Sequence, residues 1–183
     1  MKRRVVVLGL IFLVFLILAY FENNLFLGYI GKIFAHPILT ITVIFFHNVI
    51  ASSLIVLGMN FYIEFTRILP RATYKEYMVL EKPRLFSAIF TIFIMAMSIF
   101  RIVAFLNGGL AYGMVVSIIA AALPHSFIEA YSIYNAIYKV LTKRLTIKAL
   151  AAIYLLLLSA AVLEVISMQA LSLFKIPVSN PTV

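Results

Sequence analysis

The sequence predicts an all-α polytopic membrane protein with about five transmembrane helices, the fourth broken near Pro124. Three observations predict this class. Of the 183 residues, 65% are hydrophobic and only 11% are charged, whereas an ordinary soluble domain is about 25% charged. Apolar runs of roughly 20 residues, the length that crosses a bilayer core, recur along the chain. The basic residues, finally, cluster between alternate runs.

The apolar runs define the spans of a single transmembrane domain over residues 1–183. The first run carries no charge, His47 and Asn48 interrupt the second near its middle, and Arg101 is the one charged residue of the third. The fourth region is too long for one upright span and too short for two, so we expect it to kink at Pro124. The predicted spans are residues 5–21, 38–63, 85–106, 108–138 and 149–174.

The positions of the basic residues predict the orientation. Three precede the first span, five lie between the second and third, and four lie between the fourth and fifth, together twelve of the fifteen. Cytoplasmic loops carry the excess of Lys and Arg. We therefore expect a multi-pass protein of the cell membrane with its N-terminus in the cytoplasm and its C-terminus outside. The twelve residues are Lys2, Arg3, Arg4, Arg67, Arg71, Lys75, Lys82, Arg84, Lys139, Lys143, Arg144 and Lys148.

Composition also limits the partners. The net charge of +9 follows the membrane topology and not a solvated basic face, so no nucleic acid is expected. The chain has no cysteine and therefore no disulfide framework. The first apolar run is longer than the 7–15 residues of a secretory signal, and we expect it to remain as a span. Expected partners are membrane lipids and other membrane or envelope proteins, and self-association into a homo-oligomer is the further option.

Arg101 and Glu164 are predicted to form an ion pair inside the membrane. An ionisable side chain at the centre of a span costs at least about 2.5–3.5 kcal/mol unless it is paired or functional. From their inner helix ends, Arg101 lies roughly 24 Å and Glu164 roughly 22 Å along the axis. His47 and Asn48 lie near the midplane, where they serve either a hydrogen bond between helices or the handling of a substrate, ion or metal.

The stretch LPHSFIE places a helix-breaking proline beside two ionisable residues. His125 and Glu129 are one helical turn apart and so share a face. Counted from Gly108, both fall at the inner edge of the core. We expect them to line an inward-facing polar pocket, with His47 or Asn48 as the nearest polar group of the second span.

This pair could act as a hydrogen-bonded unit, as a proton acceptor or as two metal ligands. A zinc site needs three or four ligands, and His47 and Glu164, the only further candidates, lie at different estimated depths. Whether a metal binds therefore stays open, and no cofactor is expected.

The same residues resemble the stage II sporulation protein M family of integral membrane proteins. The resemblance covers residues 45–138, and its specific part is the Pro-His-x-x-x-Glu element. Ser126 stands where the family has glycine. The family implies a membrane scaffold that holds peptidoglycan-cleaving partners and has no known catalysis of its own. The matching residues are His47, Asn48, Gly58, Asn107, Gly108, Gly113, Pro124, His125 and Glu129.

Three functions follow from these observations. A scaffold or assembly component agrees with the resemblance and with the lack of a nucleophile–base motif. A small permease or channel agrees with the ladder of polar residues across the spans and with a broken helix. An intramembrane, metal-assisted enzyme would use the same polar residues as ligands.

Overall fold

The computed structural model describes residues 2–33, 36–68, 79–105 and 112–173, and these contain α-helices and no β-strand. Residues 2, 27, 28, 30–32, 98–105, 112–121 and 171–173 are described by their backbone alone. Five long helices account for most of the described chain. They are α1 Lys2–Ile33, α2 Pro37–Thr66, α3 Pro83–Phe105, α4 Tyr112–Leu141 and α5 Ile147–Leu173.

Three helical segments in the described chain are long and apolar enough to cross a membrane by length and composition. They are Arg3–Phe26, Pro37–Thr66 and Ile147–Ala170. In α3 the described apolar stretch is shorter, Pro83–Met97. The described residues confirm the all-helical prediction, and these apolar helices agree with a protein embedded in a membrane. The count of five spans stays a prediction.

Local sequence fixes the helix ends. Proline, whose fixed φ suits the first turn, begins both α2 and α3. Thr146 precedes α5, and its Oγ1 accepts a hydrogen bond from the backbone N–H of Ala149 at 3.2 Å, which is the N-cap arrangement.

The helices form an antiparallel bundle with α2 at its centre. α2 packs against α1, α4 and α5, while α4 also packs against α5 and α3. α1, α3 and α5 begin, and α2 and α4 end, at the same end of the bundle. We call it the basic end, because Arg3, Arg67, Arg84 and Lys143 lie there. The guanidinium group of Arg84 shares a hydrogen bond with the Tyr138 hydroxyl group, and this bond raises the pKa of Arg84.

Three apolar clusters run along the inner faces of α2, α4 and α5. The cluster nearest the basic end joins α2 to α4, the second joins α4 to α5, and the third joins α2 to α5. Their buried members are Met59, Ile63, Ile133, Ile137, Val140 and Leu141 in the first, Ala136, Ile153 and Leu157 in the second, and Ile44, Ala161 and Val165 in the third.

α1 packs on α2 through a reciprocal glycine–phenylalanine contact. The Phe61 ring of α2 covers Gly9 of α1, and the Phe12 ring of α1 covers Gly58 of α2. A Cβ atom at either glycine would lie 3.0 Å from the facing ring. The two rings stack with centroids 6.0 Å apart and planes inclined by 8°. Small residues at such a contact let two helices approach closely without a hydrophobic driving force.

The predicted break at Pro124 does not occur: α4 is continuous from Tyr112 to Leu141 with Pro124 inside it. A proline removes one backbone hydrogen bond, and the turns on both sides keep theirs. Glu129 lies about 18 Å along the axis from Leu141, near the middle of the helix. Its depth in a membrane stays a prediction.

Candidate functional site

The buried face of α4 carries the two ionisable residues singled out by the sequence. Ser132 and Ala136 are fully buried, and Glu129 and His125 continue their line at helical spacing toward the middle of the bundle. Both side chains are half-buried. The continuous helix therefore turns His125 and Glu129 toward its neighbours, while Phe127 and Tyr131 are exposed on its other side.

Glu164 faces this pair from α5. Ala136 of α4 packs in one cluster with Leu157 of α5. Two helical turns, or about seven residues, farther from the basic end, α4 presents Glu129 and α5 presents Glu164. The Glu164 carboxyl group lies within electrostatic range of the Glu129 carboxyl group. Packing register and electrostatics thus bring together two acidic residues that the sequence analysis assigned to different depths.

A polar atom of His125 is left without a partner beside these carboxyl groups. Of the described residues, three have a buried side-chain polar atom with no hydrogen-bond partner: Ser52 (Oγ), Thr91 (Oγ1) and His125 (Nδ1). Such an atom costs roughly 1–3 kcal/mol. An unexplained cost of this kind in a native structure calls for an explanation in function or in an unobserved partner.

α2 supplies the uncharged part of the site. Asn48 and Ser52 are buried one turn apart. Met59 and Ile63 pack against Ile133 and Ile137 of α4, and about three turns from this contact the same register sets Asn48 and Ser52 level with His125. We call this group the ionisable seam: His125 and Glu129 of α4, Glu164 of α5, and Asn48 and Ser52 of α2.

The structure gives His47 a partner that the sequence analysis missed. Its Nδ1 lies 3.0 Å from a carboxylate oxygen of Glu22 in α1. Its ring also stacks on Phe26 with centroids 4.1 Å apart. His47 thus faces α1, whereas its neighbour Asn48 is buried. The signal in the sequence was Glu22 itself, the one acidic residue of α1.

Other predicted residues lie outside the described part. Asn107 and Gly108 are not among the described residues, and the side chain of Arg101 is not described. The Arg101–Glu164 pair therefore stays a prediction. Gly113 lies in the first turn of α4, and Gly58 serves the contact with α1.

The described residues hold no group of three or more His, Cys, Asp or Glu side chains placed to bind a metal ion. What the ionisable seam offers instead is two carboxyl groups and an imidazole that can exchange protons. Two carboxyl groups close together in a poorly solvated place repel each other when both are ionised. A proton, a monovalent cation or a cationic side chain relieves that repulsion.

Comparison with known proteins gives no relative. No family model matches the chain, and neither a curated protein nor a solved structure is similar to it. The resemblance to the sporulation protein M family therefore rests on the quoted residues alone.

Proposed function

We propose that the protein crosses the cell membrane five times, with its basic end in the cytoplasm and its C-terminus outside. The helix ends support this topology, because the cationic residues of α1, α2, α3 and the α4–α5 turn share one end of the bundle. A single cysteine at Lys2 or Val183 tests it in intact cells. Only the variant at Val183 should react with an impermeant maleimide, and labelling of both from outside would refute five spans.

We further propose that the protein is a small permease that uses the ionisable seam to pass protons or monovalent cations. The observation that carries this proposal is the packing of α4 on α5, whose register sets Glu129 and Glu164 at the same level on facing helices. The sequence alone favours a scaffold, but a scaffold has no use for two carboxyl groups that face each other inside a bundle. A transported cation does make use of such a pair, since it needs a site of carboxyl groups that it can both enter and leave.

His125 gives the seam a second exchangeable group. A neutral imidazole can accept or donate a proton, and it changes charge near neutral pH more readily than any other side chain. Its Nδ1 atom is buried without a partner, one turn from Glu129. An imidazole beside a carboxyl pair suits stepwise transfer of a proton along α4.

The test is flux in liposomes that contain the purified protein and a trapped dye sensitive either to pH or to sodium. An imposed pH or sodium gradient should collapse faster with protein than without it. Glu129→Gln and Glu164→Gln keep the side-chain volume and should each abolish the difference. Glu81→Gln is the matched control, because Glu81 is an exposed residue just before α3. Equal flux in all four proteins would refute the permease.

A scaffold is the second candidate, and one observation favours it. α1 packs chiefly on α2, and only 6% of its apolar segment is buried. That leaves a long helical surface for another membrane protein. A photo-crosslinking residue at Leu13 or Ile17, both exposed, should then yield one discrete protein adduct in cells. Adducts with lipid alone would count against the scaffold.

A further inference from the structure

We infer that the basic end holds a binding site for the headgroup of an anionic phospholipid, in the cleft between the end of α2 and the α4–α5 turn. The cleft has a volume of about 530 Å³. It lies where two helices end, which is the level of the headgroups if the helices cross a membrane. Its lining includes Asn60, Ile63, Glu64, Arg67, Val140 and Lys143.

The charges in the cleft match one phosphodiester. Arg67 donates a hydrogen bond from Nη1 to Oε1 of Glu64 at 2.7 Å, so these two side chains neutralise each other. Because Lys143 is also cationic, the lining as a whole has one net positive charge. A phosphodiester carries one negative charge. The pair with Glu64 also holds the Arg67 guanidinium in place, and its remaining N–H groups stay available as donors.

The apolar part of the cleft suits a lipid better than a free anion. Ile63 and Val140 are buried members of the core cluster nearest the basic end. They form the base of the cleft on the side of the bundle, and the half-buried Leu145 completes its apolar lining. A lipid can place its phosphate at the cationic rim and its glycerol and first methylene groups against Leu145. Inorganic phosphate has no apolar part, so the apolar lining adds nothing to its binding free energy.

The backbone of Lys143 adds an independent observation. Its φ is 55°, in the left-handed region that costs a non-glycine residue roughly 1–2 kcal/mol. The N–H of Arg144 bonds to the carbonyl of Lys139 at 2.8 Å, and the N–H of Lys143 bonds to that of Val140 at 3.0 Å. This is a Schellman motif, whose left-handed position is usually glycine.

Strain at one residue indicates what that residue is kept for. Basic residues at a helix C-terminus also offset the partial negative charge of its carbonyl groups. Lys139 already does so in the last turn of α4. Glycine at 143 would end α4 without strain, so helix capping does not explain a lysine there. The position of Lys143 on the cleft explains why a lysine is present.

The experiment separates these roles with one substitution. Lys143→Gly removes both the charge and the strain, so the full-length protein should melt at a higher temperature in zwitterionic nanodiscs. The same variant should bind added phosphatidylglycerol about fivefold more weakly, as expected for one charge at a lipid surface. Native mass spectrometry of retained lipid and the melting temperature give the two readouts. Arg67→Gln should also weaken lipid binding.

Lys148→Gln is the control, because Lys148 lies at the same end, in the first turn of α5, and is not among the residues lining the cleft. It should bind phosphatidylglycerol like the unmodified protein. Equal weakening by Lys148→Gln would overturn the site in favour of general surface charge. Stabilisation by inorganic phosphate equal to that by phosphatidylglycerol would overturn the lipid as ligand, and so would unweakened binding in both Lys143→Gly and Arg67→Gln.

Discussion

The α1–α2 pair and the α4–α5 pair each place a histidine near an acidic residue, but they differ in whether the polar atoms of that histidine have partners. In the first pair, His47 contacts Glu22 and stacks on Phe26, so its polar and apolar surfaces are both used. In the second, His125 has a buried nitrogen without a partner, and the nearby acidic groups are two carboxyls in range of each other. Packing and the contact with Glu22 are enough to explain why His47 is present in the first pair. The second costs stability, and that cost is the reason to place function there.

The largest effect should come from the acidic group of α5. Glu164→Leu and Arg101→Leu are each expected to destabilise the protein by about 3–5 kcal/mol, the cost of leaving a buried charge without its partner. The double variant should recover much of the loss. Thermal unfolding of detergent-solubilised protein measures all three. Additive losses would show that Arg101 does not neutralise Glu164 and that the ionisable seam carries its charge alone.

The two histidines should respond in opposite directions. His47→Leu leaves Glu22 without its imidazole and should destabilise the protein by about 1–3 kcal/mol. His125→Leu removes an unsatisfied buried nitrogen and should stabilise the protein while reducing flux in liposomes. The two melting temperatures, taken in one detergent, make the comparison. A loss of stability in both would mean that His125 is a structural residue like His47.

At the glycine contact between α1 and α2, replacement of Gly58 by alanine should be tolerated better than replacement by leucine. Gly58→Leu forces the Phe12 ring away and should cost about 1–3 kcal/mol through overpacking. Gly58→Ala meets the same ring at 3.0 Å, but it regains roughly 1 kcal/mol of helix propensity and should be close to neutral. Melting temperatures of both variants decide the matter, and a neutral Gly58→Leu would contradict the close approach.

Among the substitutions expected to destabilise the protein, the smallest effect should come from the loss of an ordinary hydrogen bond. Ser53 and Tyr154 join α2 to α5 through their hydroxyl groups at 2.8 Å. Tyr154→Phe should cost about 0.6 kcal/mol, the average for such bonds between transmembrane helices, and should leave flux unchanged. A loss of flux in this variant would extend the functional region beyond the ionisable seam.

The sequence predicted the positions of the helices better than the contacts between them. The described part of each of the five predicted spans lies on one helix, because long apolar runs fix where helices form in a membrane. The effect of Pro124 was predicted wrongly, since the turns around a proline decide whether its missing bond interrupts a helix. The approach of Glu164 to Glu129 could not be predicted, because it depends on the register between α4 and α5. Depth counted along single helices contains no such information.

The reciprocal contact between α1 and α2 has a consequence for biosynthesis. Both glycines and both rings lie within the first 61 residues, so the ribosome completes this helical hairpin before it begins α4. The hairpin can enter the bilayer and close with its own polar pair, Glu22 and His47, already matched. α2 then presents Asn48 and Ser52 as a finished surface. The later helices, which carry the ionisable residues of the seam, assemble against a template that no longer depends on them.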